Sequence, residues 1–173
     1  MPRVPALAET ETARLVRSAQ TGDREAFAEL YQRFARMVHG VVLARIARTE
    51  VDDVVQDVFA TALERLGSLR EPAAFGGWLA AIARHRALDR GRRTTPTEAL
   101  ADHMAATRGG DPVEALAVLD AIRSLPEAYS ETLVLRLVEG MTGAEIAERT
   151  GLTPASVRVN LHRGMKLLRE KLT

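Results

Sequence analysis

A chain of 173 residues with 46% hydrophobic content is long enough for one ordinary domain or two small ones with real cores. The absence of cysteine excludes disulfides, thiolate zinc sites and direct thiol redox sensing, and the four scattered histidines offer no ligand pattern, so neither a metal nor a cofactor is expected. The net charge of +1 excludes little because it is unevenly laid out: residues 78–93 and 154–173 each carry five basic side chains and one acidic, whereas residues 94–153 between them carry four basic and ten acidic.

The amino end, MPRVPALAETETARL, lacks the apolar core of a secretion leader, and no run approaches the roughly 18 apolar residues of a membrane span. A soluble cytoplasmic protein without membrane insertion is therefore expected. Leu7 to Gln20 reads as a short helix with Leu15 and Ala19 turned inward. Asp23 opens the next, in which Phe27, Leu30, Phe34 and Val38 recur at helical spacing and the pattern runs on through Val41, Val42 and Ile46. Aromatic residues at that spacing are core material. Thr49 and Asp52 then give a capping pattern for a third helix, lined on one side by Val51, Val54, Val55, Val58, Phe59, Ala62 and Leu66. The other side, Asp53, Gln56, Asp57, Ala60 and Glu64, is an acidic stripe. Residue chemistry alone favours a solvated face there, with the early aspartates also suited to the positive end of the helix dipole.

The segment GSLREPAA (67–74) reads as a loop. Phe75, Trp78, Leu79, Ile82 and Ala83 form the apolar side of a fourth helix that ends in RHRALDRGRR. A helical wheel does not sort these charges: Arg84, His85 and Arg92 lie away from the core stripe, but Arg86 and Arg90 lie close to it. Asp89 is expected to pair with Arg92 or Arg93. Residues 94–111 keep no sustained period and are rich in threonine and glycine, the composition of a flexible linker. Beyond it, Val113, Leu116, Leu119 and Ile122 form one stripe, and after the Leu125-Pro126 turn Tyr129, Leu133 and Leu137 form another. Neither β-alternation nor a fixed-period repeat is present. The expected fold is all-α: two small helical domains, 1–93 and 112–173, with the second built from four helices.

The last two of those four are spelled by MTGAEIAERTGLTPASVRVNLHRGMKLLREKL (141–172). Thr142 is placed to cap the first with Glu145 reaching back, Ile146 and Ala147 face inward, and Gly151 ends it in the left-handed conformation. Thr153 caps the second, Pro154 takes its first position, and Leu152 can staple onto Val157. Val157, Leu161, Met165, Leu168 and Leu172 make the inward stripe. Ser156, Val159, His162, Arg163 and Lys166 lie opposite, with Arg158 and Asn160 on the flanks. A basic helix face can be merely solvated, but the short capped turn before it favours a helix-turn-helix seated on DNA. Arginine can fork onto guanine, asparagine can pair with adenine, valine can touch a thymine methyl and lysine can neutralise phosphate. Gly164 costs about 1 kcal/mol against alanine inside a helix, which points to a neighbour in close approach.

Taken together, DDVVQDVFATAL, then FGGWLAAIARHRALDRGRR, then LPEAYSETLVLRLVEGMTGAEIAERTGLTPASVRVNLHRGMKLLREKL resemble the bacterial sigma-70 family, specifically its small extracytoplasmic-function (ECF) group, over roughly residues 10–93 and 112–172. The resemblance implies an initiation factor that binds RNA polymerase core, through its clamp helices and flap, and brings it to promoter DNA. It makes the acidic stripe a polymerase dock, carried by Asp53, Gln56 and Asp57 with Asp52 adjacent. It assigns the melted minus-10 element to the following loop and helix, here Ser68, Arg70, Phe75, Trp78, Arg84, His85, Arg92 and Arg93. A loop between helices and five arginines suit a flipped base and its backbone. The minus-35 element falls to Arg158, Val159, His162 and Arg163, nearly the set chosen by the wheel, with Ser156, Asn160 and Lys166 beside them. His85 stands where many relatives carry asparagine, Asn160 where they often carry arginine, and Gly164-Met165 where Ala-Arg is usual. The family also implies restraint by an anti-sigma protein that covers or wedges between the domains.

The alternative from another class is a stand-alone helix-turn-helix repressor whose amino-terminal half binds a ligand or dimerises. An enzyme is disfavoured, because no Walker loop, metal cluster or catalytic spacing is present and no catalytic residue is assigned. The chain stops directly after its last helix, so no appended sensory domain is expected.

Overall fold

The computed structural model describes residues 9–93 and 112–173. Among them all regular structure is helical, in eight α-helices. In the first half these are α1 (Glu11–Gln20), α2 (Arg24–Leu43), α3 (Arg48–Arg65) and α4 (Phe75–Arg93). The second half holds α5 (Pro112–Arg123), α6 (Glu127–Leu133), α7 (Gly143–Thr150) and α8 (Pro154–Leu172). The proposed linker, 94–111, lies outside the described residues.

α2 is the axle of the first half. Asp23 caps it, accepting from the Glu25 and Ala26 amides, and Leu30, Phe34, Met37, Val38, Val41 and Val42 are buried along it. At about 1.5–3 kcal/mol for each large apolar side chain removed from water, this stripe is what gathers α1, α3 and α4 around it. α1 starts at Glu11, with Thr10 accepting from the Ala13 amide, and turns Leu15 and Ala19 inward as expected. α3 departs from expectation at its start. Ala47 is its N-cap and no side chain caps it. The chain enters this helix already anchored by buried Ile46, whose carbonyl accepts from Arg123 at 2.7 Å, so Thr49 falls inside the first turn and the Thr49–Asp52 capping pattern goes unused.

In the second half the stripes are displaced by a change of pitch. α6 runs into a π-turn, Val134–Val138, in which the Glu139 amide donates to the Val134 carbonyl five residues back. The wider turn advances the burial phase, so Leu133, Val134 and Leu135 are all enclosed while Leu137 is 48% exposed, against its expected place in the core. Val113 (74%) and Leu172 (53%) likewise lie outside the stripes drawn for them, which close at Leu119 and Ile122 on α5 and at Leu168 on α8. Gly164 is buried because α6 crosses there: a Cβ on it would lie 3.1 Å from Leu133 and 3.2 Å from Tyr129.

The two halves also meet. Buried apolar residues form one continuous cluster from Leu15 to Leu168, and α2 and α4 pack against α7 and the π-turn. At the seam glycine permits close approach, of the Leu135 side chain to Gly40 and of the Arg149 backbone carbonyl to Gly76. Around these contacts lies a ring of charge. Glu131 accepts from Arg84 at 2.8 and 2.9 Å and from Arg45 at 2.7 Å. Arg123 donates to the carbonyls of Leu43 and Ile46, and Arg149 donates to that of Arg33 while its guanidinium sits 5.5 Å from the Phe34 ring centre. His39 pairs with Glu139, and Arg36 donates to the Glu139 carbonyl.

The hydrogen bond to Glu139 holds the His39 imidazole above its ordinary value; partial burial and Arg48 oppose this, and the charges of Glu139 and Asp52 reinforce it. With the native value raised, the stabilisation is complete below about pH 6.5 and is lost as pH rises through the raised value. The stability difference between wild type and His39→Gln should therefore shrink as pH is taken from about 6 to about 9, read by urea unfolding; a constant difference would mean that the pair is not an ion pair.

Candidate nucleic-acid interface

Three exposed faces carry the candidate residues. On α3 the valines and Phe59 point inward, which leaves Asp52, Asp53, Gln56 and Asp57 in solvent on the opposite side. Asp57 is tempered by Arg90 of α4, whose guanidinium stands 3.7 Å away and also reaches Glu50 at 3.4 Å. Arg86, the other cation that the wheel put near the core, donates to the hydroxyl of buried Thr61 at 2.9 Å. Both arginines thus tie α4 to α3.

The second face is the loop between α3 and α4 with the far side of α4. Ser68 and Arg70 are exposed, and the Ser68 hydroxyl donates to the Arg65 carbonyl at 2.6 Å. The loop is pinned by a residue that the sequence did not single out. Gln20, at the end of α1, donates its amide to the carbonyls of Leu66 and Leu69 at 3.0 and 2.8 Å. Nothing in local spacing marks it, because its partners lie 46 and 49 positions away.

Further along, Phe75 must be corrected. It is fully enclosed, edge-on to Phe34 with ring centres 5.0 Å apart, so it is a core residue that supports Trp78 at 5.8 Å, and it offers no surface to a base in this structure. Trp78 is half-buried; His85, Arg92 and Arg93 are exposed. Asp89 pairs with His85 at 3.4 Å, one turn back, and not with Arg92 or Arg93. Arg84 is half-buried and committed to Glu131. Burial pushes the Glu131 carboxyl up, but the hydrogen bonds and charge of Arg84, with those of Arg45, outweigh it and hold the carboxyl below its ordinary range.

The third face is the helix-turn-helix. Thr142 and Glu145 form the reciprocal capping box, which also holds the Glu145 carboxyl below its usual value. Gly151 takes φ 76°, Thr153 accepts from the Ser156 amide at 3.1 Å, and Pro154 opens α8. Each cap contributes about 1 kcal/mol, so local chemistry fixes where each of these helices begins. Ser156, Arg158, Val159, His162, Arg163 and Lys166 all project from the exposed side of α8. Asn160 does not share that orientation: it is half-buried, and its amide donates to Thr132 on α6 at 3.4 Å. Its flank position brings it against α6, so it braces the helix from within.

Two separated cationic surfaces, one of them a helix-turn-helix, define a DNA-binding transcription factor. Residues 30–97 match the Sigma-70 region 2 family and residues 115–168 match Sigma-70, region 4. RNA polymerase sigma factor CarQ of Myxococcus xanthus is 32% identical over 160 residues, spanning 87% of this chain and 91% of that protein. The ECF RNA polymerase sigma-E factor of Haemophilus influenzae is 30% identical, spanning 91% and 93%. Among solved structures, CnrH in complex with the cytosolic domain of CnrY is similar at a TM-score of 0.64 and 25% identity, over 93% of this chain and 96% of that one. The chain belongs to the sigma-70 family, in its ECF group. The repressor reading has no support in a match that includes region 2.

Gln20→Ala should release the loop without unfolding the helices. Amides of residues 67–74 should exchange with deuterium faster in the variant, with a loss of about 1–3 kcal/mol in global stability, while protection in α8 stays unchanged.

Proposed function

We propose that this protein recruits RNA polymerase core to promoters in the cytoplasm and selects the start site without catalysis of its own. In this reading Asp52, Asp53, Gln56 and Asp57 meet the clamp helices. Ser68, Arg70, Trp78, Arg84, His85, Arg92 and Arg93 receive the unpaired minus-10 strand, with Phe75 as the buried floor beneath Trp78. The exposed side of α8, namely Ser156, Arg158, Val159, His162, Arg163 and Lys166, takes the minus-35 duplex, with Asn160 holding it in place. Residues 1–93 and 112–173 then act as separate modules joined by 94–111, and the clamp and the flap of the polymerase each hold one. The observation that carries the reading is that one chain matches both sigma regions in order and presents an acidic face and two basic ones.

The acidic and basic faces do different work. An exposed carboxylate stripe repels phosphate and suits a partner protein, whereas arginine-rich faces gain by releasing counterions from DNA. Strand opening needs no nucleotide hydrolysis by this chain, since trapping unstacked bases shifts the melting equilibrium. The solved relative bound to the cytosolic domain of CnrY supports the expectation that an anti-sigma protein restrains this chain as well.

Transcription by sigma-free core polymerase on genomic DNA, with start sites mapped, tests the function: discrete new starts are expected with this protein, and none without it. Asp57→Ala should weaken binding to core polymerase while duplex binding by the full chain is kept; unchanged core affinity would remove α3 from the dock. Arg163→Ala should cost about 1–3 kcal/mol and relax the preference at one base pair if it reads a base, whereas an even loss across promoter variants would make it a phosphate contact.

A further inference from the structure

α1 has no part in the function proposed above, and the region 2 match begins only at residue 30, beyond its end at Gln20. Yet α1 underlies the whole loop between α3 and α4. It packs against the 3-10 turn at Leu66–Ser68 and against the second one at Pro72–Ala74. Gln20 makes the polar link between them. Its Nε2 donates to the Leu66 carbonyl at 3.0 Å and to the Leu69 carbonyl at 2.8 Å, so both hydrogens of one amide are used on the two carbonyls that bracket the turn.

The Leu69 amide also donates to the Leu66 carbonyl, at 3.1 Å, which closes the turn from within while Gln20 holds it from outside. Leu66 is buried and Leu69 is packed against the core, whereas Ser68 and Arg70, on either side of Leu69, are exposed. A peptide unit is planar, so fixing the Leu69 carbonyl also fixes the Cα of Arg70. Both exposed side chains therefore start from backbone that α1 holds still.

An unstacked base is told from another by hydrogen bonds to its edge, and these act only between groups held in place. Attraction between arginine and phosphate tolerates displacement far better. A loop cut free of α1 would keep the second and lose the first.

We propose that Gln20 is a positioning residue for the minus-10 strand: it holds the loop in the one geometry that distinguishes unpaired bases, which makes α1 part of the reading apparatus. The proposal rests on the assignment of this loop to the minus-10 strand. Selectivity among bases depends on Gln20, and general affinity for the opened strand, carried by the arginines of α4, does not.

Gln20→Met keeps the length and helical preference of the side chain and removes both donors, and Gln20→Ala removes the side chain altogether. Thr10→Ala is the control for a merely structural effect. Thr10 caps the other end of α1, accepting from the Ala13 amide at 3.2 Å, so its loss weakens the same helix without removing a bond to the loop.

The test is run-off transcription by core polymerase with the full-length chain, on a promoter taken from the start-site mapping above. The template carries a pre-opened bubble over the minus-10 element, with each base replaced in turn, so that transcript ratios report base capture without the cost of melting. In both Gln20 variants the ratio of best to worst base should fall about three- to tenfold at one or two neighbouring positions, the loss expected of a hydrogen bond or two, while total transcript over all templates changes less. Arg70→Ala should alter the same positions, and Thr10→Ala should leave every ratio at its wild-type value. Wild-type ratios in the folded Gln20 variants, an equal loss on every template, or an equal loss of selectivity in Thr10→Ala would overturn the proposal. Should Gln20→Ala fail to fold by circular dichroism, Gln20→Met decides alone. Ratios moved by Arg70→Ala but by neither Gln20 variant fail the proposal only; ratios moved by none of the three fail the placing of the strand on this loop as well. No transcript with the wild-type chain fails the sigma reading itself.

Discussion

A carboxylate buried between two guanidinium groups is the constraint around which this structure is arranged. Glu131 could not stay ionised at 5% exposure without Arg84 and Arg45, and both arginines come from the other half of the chain. Removing either partner would leave charge stranded away from water, a far larger penalty than the intact pair ever contributes. The seam is thus chosen by electrostatic matching and by two glycines, Gly40 admitting the Leu135 side chain and Gly76 the Arg149 backbone, with the apolar cluster continuous beneath it.

The acidic middle of the sequence acquires a purpose in this light. Residues 94–153 carry ten acidic groups, and three of them, Glu127, Glu131 and Glu139, reach across to Arg45, Arg84 and His39. The acidic residues of α3 divide: Asp52 and Asp53 stay in solvent, whereas Glu50 and Asp57 stand beside Arg90 of α4. The arginines divide in a similar way. Arg86 and Arg90 are structural ties between α3 and α4, Arg123 and Arg149 satisfy backbone carbonyls across the seam, and Arg92, Arg93, Arg158 and Arg163 remain exposed. A chain of nearly neutral net charge can therefore present strong local fields of either sign.

What was legible in the sequence was what local physics determines. The helix-turn-helix was readable almost residue by residue, because capping boxes, a left-handed glycine and an N1 proline act within four residues of themselves. The apolar stripes of α2 and α3 were equally plain. Misreadings fell where a distant element overrides the local pattern. The Thr49 cap yields to an anchor supplied by Arg123, and Leu137 is turned out by a π-turn that no periodicity announces. Phe75 was placed among DNA contacts by family likeness, yet its ring is the keystone between Phe34 and Trp78. Gln20 and Glu131 were missed for one reason: their partners are more than 45 residues away, and a single polar residue in a helix gives no hint of what it will meet.

The two halves pack together in this structure, and the proposed function requires polymerase and promoter to hold them as separate modules. Because the protein has no cysteine, dyes placed at Gln32→Cys and Glu148→Cys would be its only thiol labels, and these positions adjoin Arg33 and Arg149, which bond across the seam. Energy transfer between them should be high in the free protein and should fall when core polymerase and promoter DNA are added together. Transfer that stays high in complexes actively making RNA would contradict the account.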